Sequence, residues 1–160
     1  MIKLKIITLG KLKEKYLKEA CDEYLKRLSS YAKTELIEIE PVRLPDSPSK
    51  GEIAKALDIE AELIKKKLSV GAFVTALCIE GQQLSSEALS KKLMSVVSSG
   101  KGELIFIIGS SHGLSDEIKS LADMKLSFSA MTFPHQLFRT MLLEQVYRCF
   151  KIAEGSPYHK

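Results

Sequence analysis

The chain has 160 residues, 45% of them apolar and 28% charged, and a formal net charge of +4. That length suits one domain over residues 1–160 with a sizeable core, and no apolar run approaches the roughly 18 residues that a membrane span needs. Cys21, Cys78 and Cys149 are odd in number, far apart and set among apolar neighbours, and His112, His135 and His159 stand at no ligand spacing, which excludes a disulfide framework and predicts no metal site.

Charge is unevenly spread. Residues 1–33 carry nine Lys and Arg against four Asp and Glu, a net of +5, and the remainder nets −1. The densest basic run is Lys11-Leu12-Lys13-Glu14-Lys15, which suits either a phosphate-rich partner or a solvated face. Met1 to Lys5 alternates Lys with apolar residues and lacks the continuous apolar stretch of a signal peptide, so a cytoplasmic location is expected.

In chain order, Ile2 to Leu9 reads as a strand, and Leu17, Ala20, Cys21, Tyr24, Leu25 and Leu28 recur at helical spacing over about 14–30. Glu35 to Glu40 alternates as a half-exposed edge strand, and the three prolines between Pro41 and Ser49 mark a loop. Ser49-Lys50-Gly51-Glu52 has the form of a capping box opening a helix to about Leu68. Ala72 to Ile79 is a continuous apolar strand, Glu80-Gly81-Gln82-Gln83 reads as a turn, and a helix led by Ser85 runs to about Ser99-Gly100. Leu104 to Ile108 is a further strand, followed by a helix from about Ser115, a short strand at Lys125 to Ser127 and a long helix from Pro134. Continuous apolar strands separated by helices predict an α/β fold, a mostly parallel sheet with helices on both faces. The last helix is apolar around most of its circumference, leaving a polar stripe through Thr140, Glu144, Arg148 and Lys151. Such a helix needs cover on two sides; a second subunit, giving a homodimer, is favoured over a helix sandwiched within one chain.

Two loops carry the chemistry. Gly109-Ser110-Ser111-His112-Gly113 follows a strand end and exposes backbone N–H and C=O groups where open α/β sheets place ligands. The same residues fit Gly-x-Ser-x-Gly, the nucleophile elbow of a serine hydrolase acting through Ser111, but only one short strand follows to carry an acid and a histidine. No Gly-x-x-x-x-Gly-Lys-Ser/Thr loop and no Gly-x-Gly-x-x-Gly after the first strand is present, which argues against nucleotide hydrolysis and dinucleotide binding. The second loop, Phe128-Ser129-Ala130-Met131-Thr132-Phe133, again mixes apolar walls with small residues, as a small-molecule site would or as ordinary packing would.

Motifs spread along the whole chain resemble one family. These are Leu77 to Gly81, Phe106 to Gly109 with Gly113-Leu114, Leu126 to Ser129 running into Met131 to Gln136, Glu144 to Arg148, and Tyr158-His159-Lys160. In this order and in a chain of this length they resemble the RlmH family, small SPOUT methyltransferases acting on large-subunit ribosomal RNA. The resemblance implies a C-terminal trefoil knot, a rare exception to unthreaded chains. It also implies a homodimer, S-adenosylmethionine as methyl donor, and N3 of a pseudouridine in helix 69 of 23S rRNA as acceptor, within the assembled ribosome. Carried over by position, Leu77, Gly109 and Phe128, Ser129, Ala130, Met131, Thr132 and Phe133 line the cofactor site. The chain departs from the family at Ser110, commonly a second glycine, and at His112.

A ring nitrogen must lose its proton to attack a methyl group in line, so the chemistry needs a base and a group to stabilise charge on the neighbouring carbonyl oxygens. His159 and Tyr158 are candidates on a tail that closes over the base, and Arg148 or Arg139 for the charge; Arg148 has an alternative partner in Glu144 one turn away. His135, after a proline, reads as structural. With no separate RNA-binding region, recognition falls to the dimer surface, the basic N-terminal part and the ribosome's shape. The alternative function is a non-catalytic ribosome-binding factor that keeps the knot.

Overall fold

The computed structural model describes residues 1–160. Five strands, β1 (Ile2–Leu9), β2 (Ala32–Ile39), β3 (Phe73–Gln83), β4 (Glu103–Ile108) and β5 (Met124–Ser127), form one sheet in the order β2-β1-β4-β3-β5. Every pairing is parallel. Between and after them lie α1 (Lys15–Leu28), α2 (Lys50–Lys65), α3 (Ser86–Ser98), α4 (Asp116–Leu121) and α5 (His135–Ala153).

The continuous apolar runs arise because the central strands are covered on both faces. Side chains alternate between two cores: Leu4, Ile6, Leu104, Phe106 and Ile108 join Cys21, Leu28, Leu89, Leu93 and Leu142 on the side of α1, α3 and α5. Ile7, Leu9, Ile105 and Ile107 join Ala61, Ile64 and Ile118 on the side of α2 and α4. Phe106 is fully enclosed, and its loss to Ala would cost about 3–5 kcal/mol. At the start of α2 the capping box is complete: Glu52 N–H donates to Ser49 Oγ at 3.1 Å and Ser49 N–H to Glu52 Oε1 at 3.2 Å. Strand β2 lies at the sheet's edge, as its alternation predicts, and begins earlier than expected, at Ala32.

Two expectations change. Glu80-Gly81-Gln82-Gln83 does not turn the chain; it completes β3. Leu126 of β5 is partnered first by Leu77 and then by Gln82, so four residues, Cys78 to Gly81, bulge out between two stretches of regular pairing. Gly81 permits this, since a Cβ there would stand 2.7 Å from the backbone of Leu126. The second change concerns α5: α1 and α3 flank it within the same chain, burying Leu142, Leu143, Val146, Cys149 and Phe150. Much of the cover expected from a second subunit is thus supplied internally. No helix is long and apolar enough to cross a membrane.

Candidate active site

Parallel strands end together, and at the C-terminal edge of this sheet the ends of β3, β4 and β5 surround a cavity of about 370 Å³, within the range of small-molecule sites. The bulge delivers Cys78, Ile79 and Glu80 into it; β4 leads into its Gly109–Leu114 wall; β5 leads into Phe128. Three aromatic rings form one side: Phe138 of α5 is tilted against Phe128 at 4.7 Å between centroids and stacked on Phe133 at 6.4 Å.

Both loops are held by local bonds. Gly113, at φ +84°, returns its N–H to Ser110 C=O at 2.8 Å. Gly109 packs so closely that a Cβ would stand 2.4 Å from Gly113 O. Ser110 adopts no positive φ. Its buried hydroxyl donates to Glu60 Oε1 at 3.0 Å, and Val42 N–H donates to Glu60 Oε2 at 2.9 Å, so one buried carboxylate of α2 ties the loop to the segment after β2. In the other loop Ser127 Oγ donates to Ser129 C=O at 3.1 Å and Met131 N–H to Ser129 Oγ at 3.0 Å. Glu80 pairs with Lys119 across the cavity mouth, which lowers its carboxyl below the usual range.

Of the residues expected at a cofactor site, Leu77, Gly109, Phe128, Ser129, Met131, Thr132 and Phe133 line this cavity and Ala130 does not. His135, expected to be structural, also faces it, with partial desolvation lowering its imidazole pKa. Ser111 is exposed, and its hydroxyl bonds neither imidazole nor carboxylate, so no hydrolase relay is assembled. The signal that sequence reading missed is the bulge, whose Cys78, Ile79 and Glu80 looked like a strand end and a turn.

Tyr158, His159 and Arg148 gather in a different place, on the outer side of α5 and α3. Arg148 Nε and Nη2 donate to Glu144 Oε1 at 3.0 and 2.5 Å, and Tyr158 O–H donates to the same oxygen at 3.1 Å. Burial and this carboxylate push the Tyr158 phenol up to about 12. His159 lies between Arg148 Nη1, 3.2 Å from Nδ1, and Glu87 Oε1, 2.6 Å from Nε2. These bonds assign the neutral imidazole's proton to Nε2, with the Nδ1 lone pair facing Arg148. A second cavity of about 460 Å³ has Glu144 on its wall and shares Leu126, Ser127, Phe128 and Phe133 with the first. Arg139 is not available to a substrate: it is 4% exposed and is held by Glu38, Thr8 and the Gly10 carbonyl.

A family model described as predicted SPOUT methyltransferase matches residues 2–159. The chain belongs to the SPOUT methyltransferase family. Among relatives, the ribosomal RNA large subunit methyltransferase H of Acetivibrio thermocellus is 48% identical over 99% of this chain and 100% of its own length. The protein of the same name from Enterococcus faecalis is 46% identical over 99% and 100%. The structure of a probable methylase family protein from Haemophilus influenzae Rd KW20 has a similar fold, with a TM-score of 0.56 at 14% identity over all of this chain and 72% of its own.

Proposed function

We propose that this chain methylates N3 of a pseudouridine in helix 69 of 23S rRNA on the assembled ribosome, with S-adenosylmethionine as donor. The observation that carries the reading is the coincidence of near full-length family similarity with a cavity walled by the family's two loops. The fit to the donor rests on size and chemistry: about 370 Å³, apolar walls from Leu77, Phe128, Phe133 and Phe138, and the hydroxyls of Ser127, Ser129 and Thr132 for polar groups. When bound, the donor supplies an electrophilic methyl group on a sulfonium. Leu77, Gly109, Phe128, Ser129, Met131, Thr132 and Phe133 hold it, and Ala130 shapes the loop from outside.

Catalytic roles fall to the tail cluster. His159, with Nε2–H bonded to Glu87, takes the N3 proton on Nδ1 once Arg148 turns from that lone pair towards the pyrimidine carbonyls, where its charge stabilises the developing anion. Tyr158 stays protonated and orients Glu144 and Arg148. The second cavity, bordered by Glu144 and sharing four residues with the first, supports a path between this cluster and the donor. Two copies form the working unit, a reading supported by the family resemblance and by the exposure of Met131 on the first cavity's wall and of Leu137 on α5, and the same resemblance implies the C-terminal knot. The whole chain acts as one domain in the cytoplasm, where ribosomes are.

The test is methyl transfer from labelled S-adenosylmethionine to ribosomes lacking the modification, followed by nucleoside mass analysis. A methylated pseudouridine is expected. Cofactor and ribosome binding without transfer would leave a binding factor instead.

A further inference from the structure

We infer that the exposed segment Lys11 to Tyr16 is the surface on which ribosomal RNA phosphates rest while the target base reaches the cavity; this builds on the proposed rRNA methylation. The charge asymmetry is the first support: the N-terminal 33 residues carry the whole positive excess. Leu12 packs against the core and turns Lys11, Lys13 and Lys15 outwards. The backbone is extended at Glu14, the residue before α1, which sets Lys13 and Lys15 about 7 Å apart, on the order of the spacing of successive phosphates along a strand. Lysine ammonium groups bind phosphates as point charges. Glu14 is the only acid between Gly10 and Lys18, and the Lys15–Glu19 pair, 3.8 Å apart with both side chains largely in water, neutralises little. Tyr16, 67% exposed, offers a flat face for a ribose or base.

The second support is how the segment is held. Gln136 Oε1 accepts the Lys13 N–H at 2.9 Å, and buried Arg139 Nη2 donates to Gly10 C=O at 3.0 Å. Both side chains come from the start of α5, directly after Phe133 and beside His135 on the cavity wall. The basic segment and the cavity therefore share one support at the C-terminal edge of the sheet. A charge needed only for solubility requires no such fixing; a phosphate contact that sets register does.

The experiment compares full-length protein with a variant carrying Lys11→Gln, Lys13→Gln and Lys15→Gln, measuring ribosome binding across salt concentrations, methyl transfer and S-adenosylmethionine affinity. The expected result is a ribosome Kd raised about tenfold and a log–log salt slope shallower by about two to three, with cofactor affinity and melting temperature unchanged. A control, Lys33→Gln with Lys66→Gln and Lys91→Gln, removes equal charge elsewhere. Equal losses in both variants, or no change in the first, would overturn the inference. Photocrosslinks from Tyr16 to nucleotides support it; crosslinks confined to an acidic ribosomal protein overturn it. If wild-type protein binds with this salt dependence but transfers no methyl group, the methylation reading fails and the surface stands.

Discussion

At the scale of single residues, Ser110 decides how the first loop is held. A glycine there would leave the loop to its backbone; the serine hydroxyl adds a bond to the buried carboxylate of Glu60. Ser110→Ala removes a charge-assisted bond and strands a carboxylate oxygen away from water, so it should destabilise the protein by about 1.5–3 kcal/mol. Urea unfolding measures this, and a change within about 0.5 kcal/mol would refute the tie. Tyr158 gives a pH argument. Its phenol is raised from 10.0 to about 12, so the stabilisation from its bond to Glu144 is complete below about pH 10 and is lost as pH climbs through 12. Near neutrality it donates a hydrogen bond and is no base. Tyr158→Phe should lower kcat about tenfold while leaving the pH–rate profile unmoved from about pH 6 to 9, whereas His159→Ala should cost about a hundredfold or more. A profile displaced by Tyr158→Phe would transfer the base to the phenol.

At the scale of elements, the decisive piece is the bulge of β3. Gly81 lies where any side chain would meet the β5 backbone, so Gly81→Ala forces β3 and β5 apart at the root of the Phe128 loop. Overpacking of this kind costs about 1–3 kcal/mol, and a loop displaced at its root should lose donor affinity by tenfold or more in calorimetry. Undiminished affinity would show that the pairing does not position the loop. The bulge also marks where sequence reading stopped. Helical spacing located α1, α2 and α3, and apolar runs located β1, β3 and β4, because burial on two faces leaves an unmistakable pattern. Glu80-Gly81-Gln82-Gln83 has the composition of a turn; only its pairing with Leu126 and Ser127, set by tertiary contact, makes it strand. Ser49 and Ser85 announced their helices because capping is local chemistry. Arg139 looked like a catalytic cation, and nothing nearby in sequence reveals that Glu38, Thr8 and Gly10 enclose it. The two loops were legible as loops with exposed backbone, and the gathering of Tyr158, His159, Arg148 and Glu87 was not, since Glu87 lies 72 residues from His159.

At the scale of the whole molecule, function must be concentrated on one edge. The cavity, the tail cluster's neighbouring cavity and the basic segment all border the C-terminal ends of the strands or the start of α5. With so small a footprint the protein gains little from a short RNA alone; most of its contacts have to come from a large, already folded partner. An isolated helix 69 hairpin should therefore be methylated at least about a hundredfold less efficiently, in kcat/KM, than intact ribosomes. Equal efficiency would place the determinants within the hairpin.

The three thiols carry one more consequence. Burial raises Cys21, Cys78 and Cys149, the last to about 12, so none is a ready nucleophile, and each belongs to a different element: α1, β3 and α5. Only Cys78 borders the cavity at the ends of β3, β4 and β5. Alkylation of Cys21 or Cys149 accordingly counts excursions in which a helix leaves the sheet, and alkylation of Cys78 counts vacancy of the site, so the molecule holds an intrinsic clock for each kind of opening without a label being added.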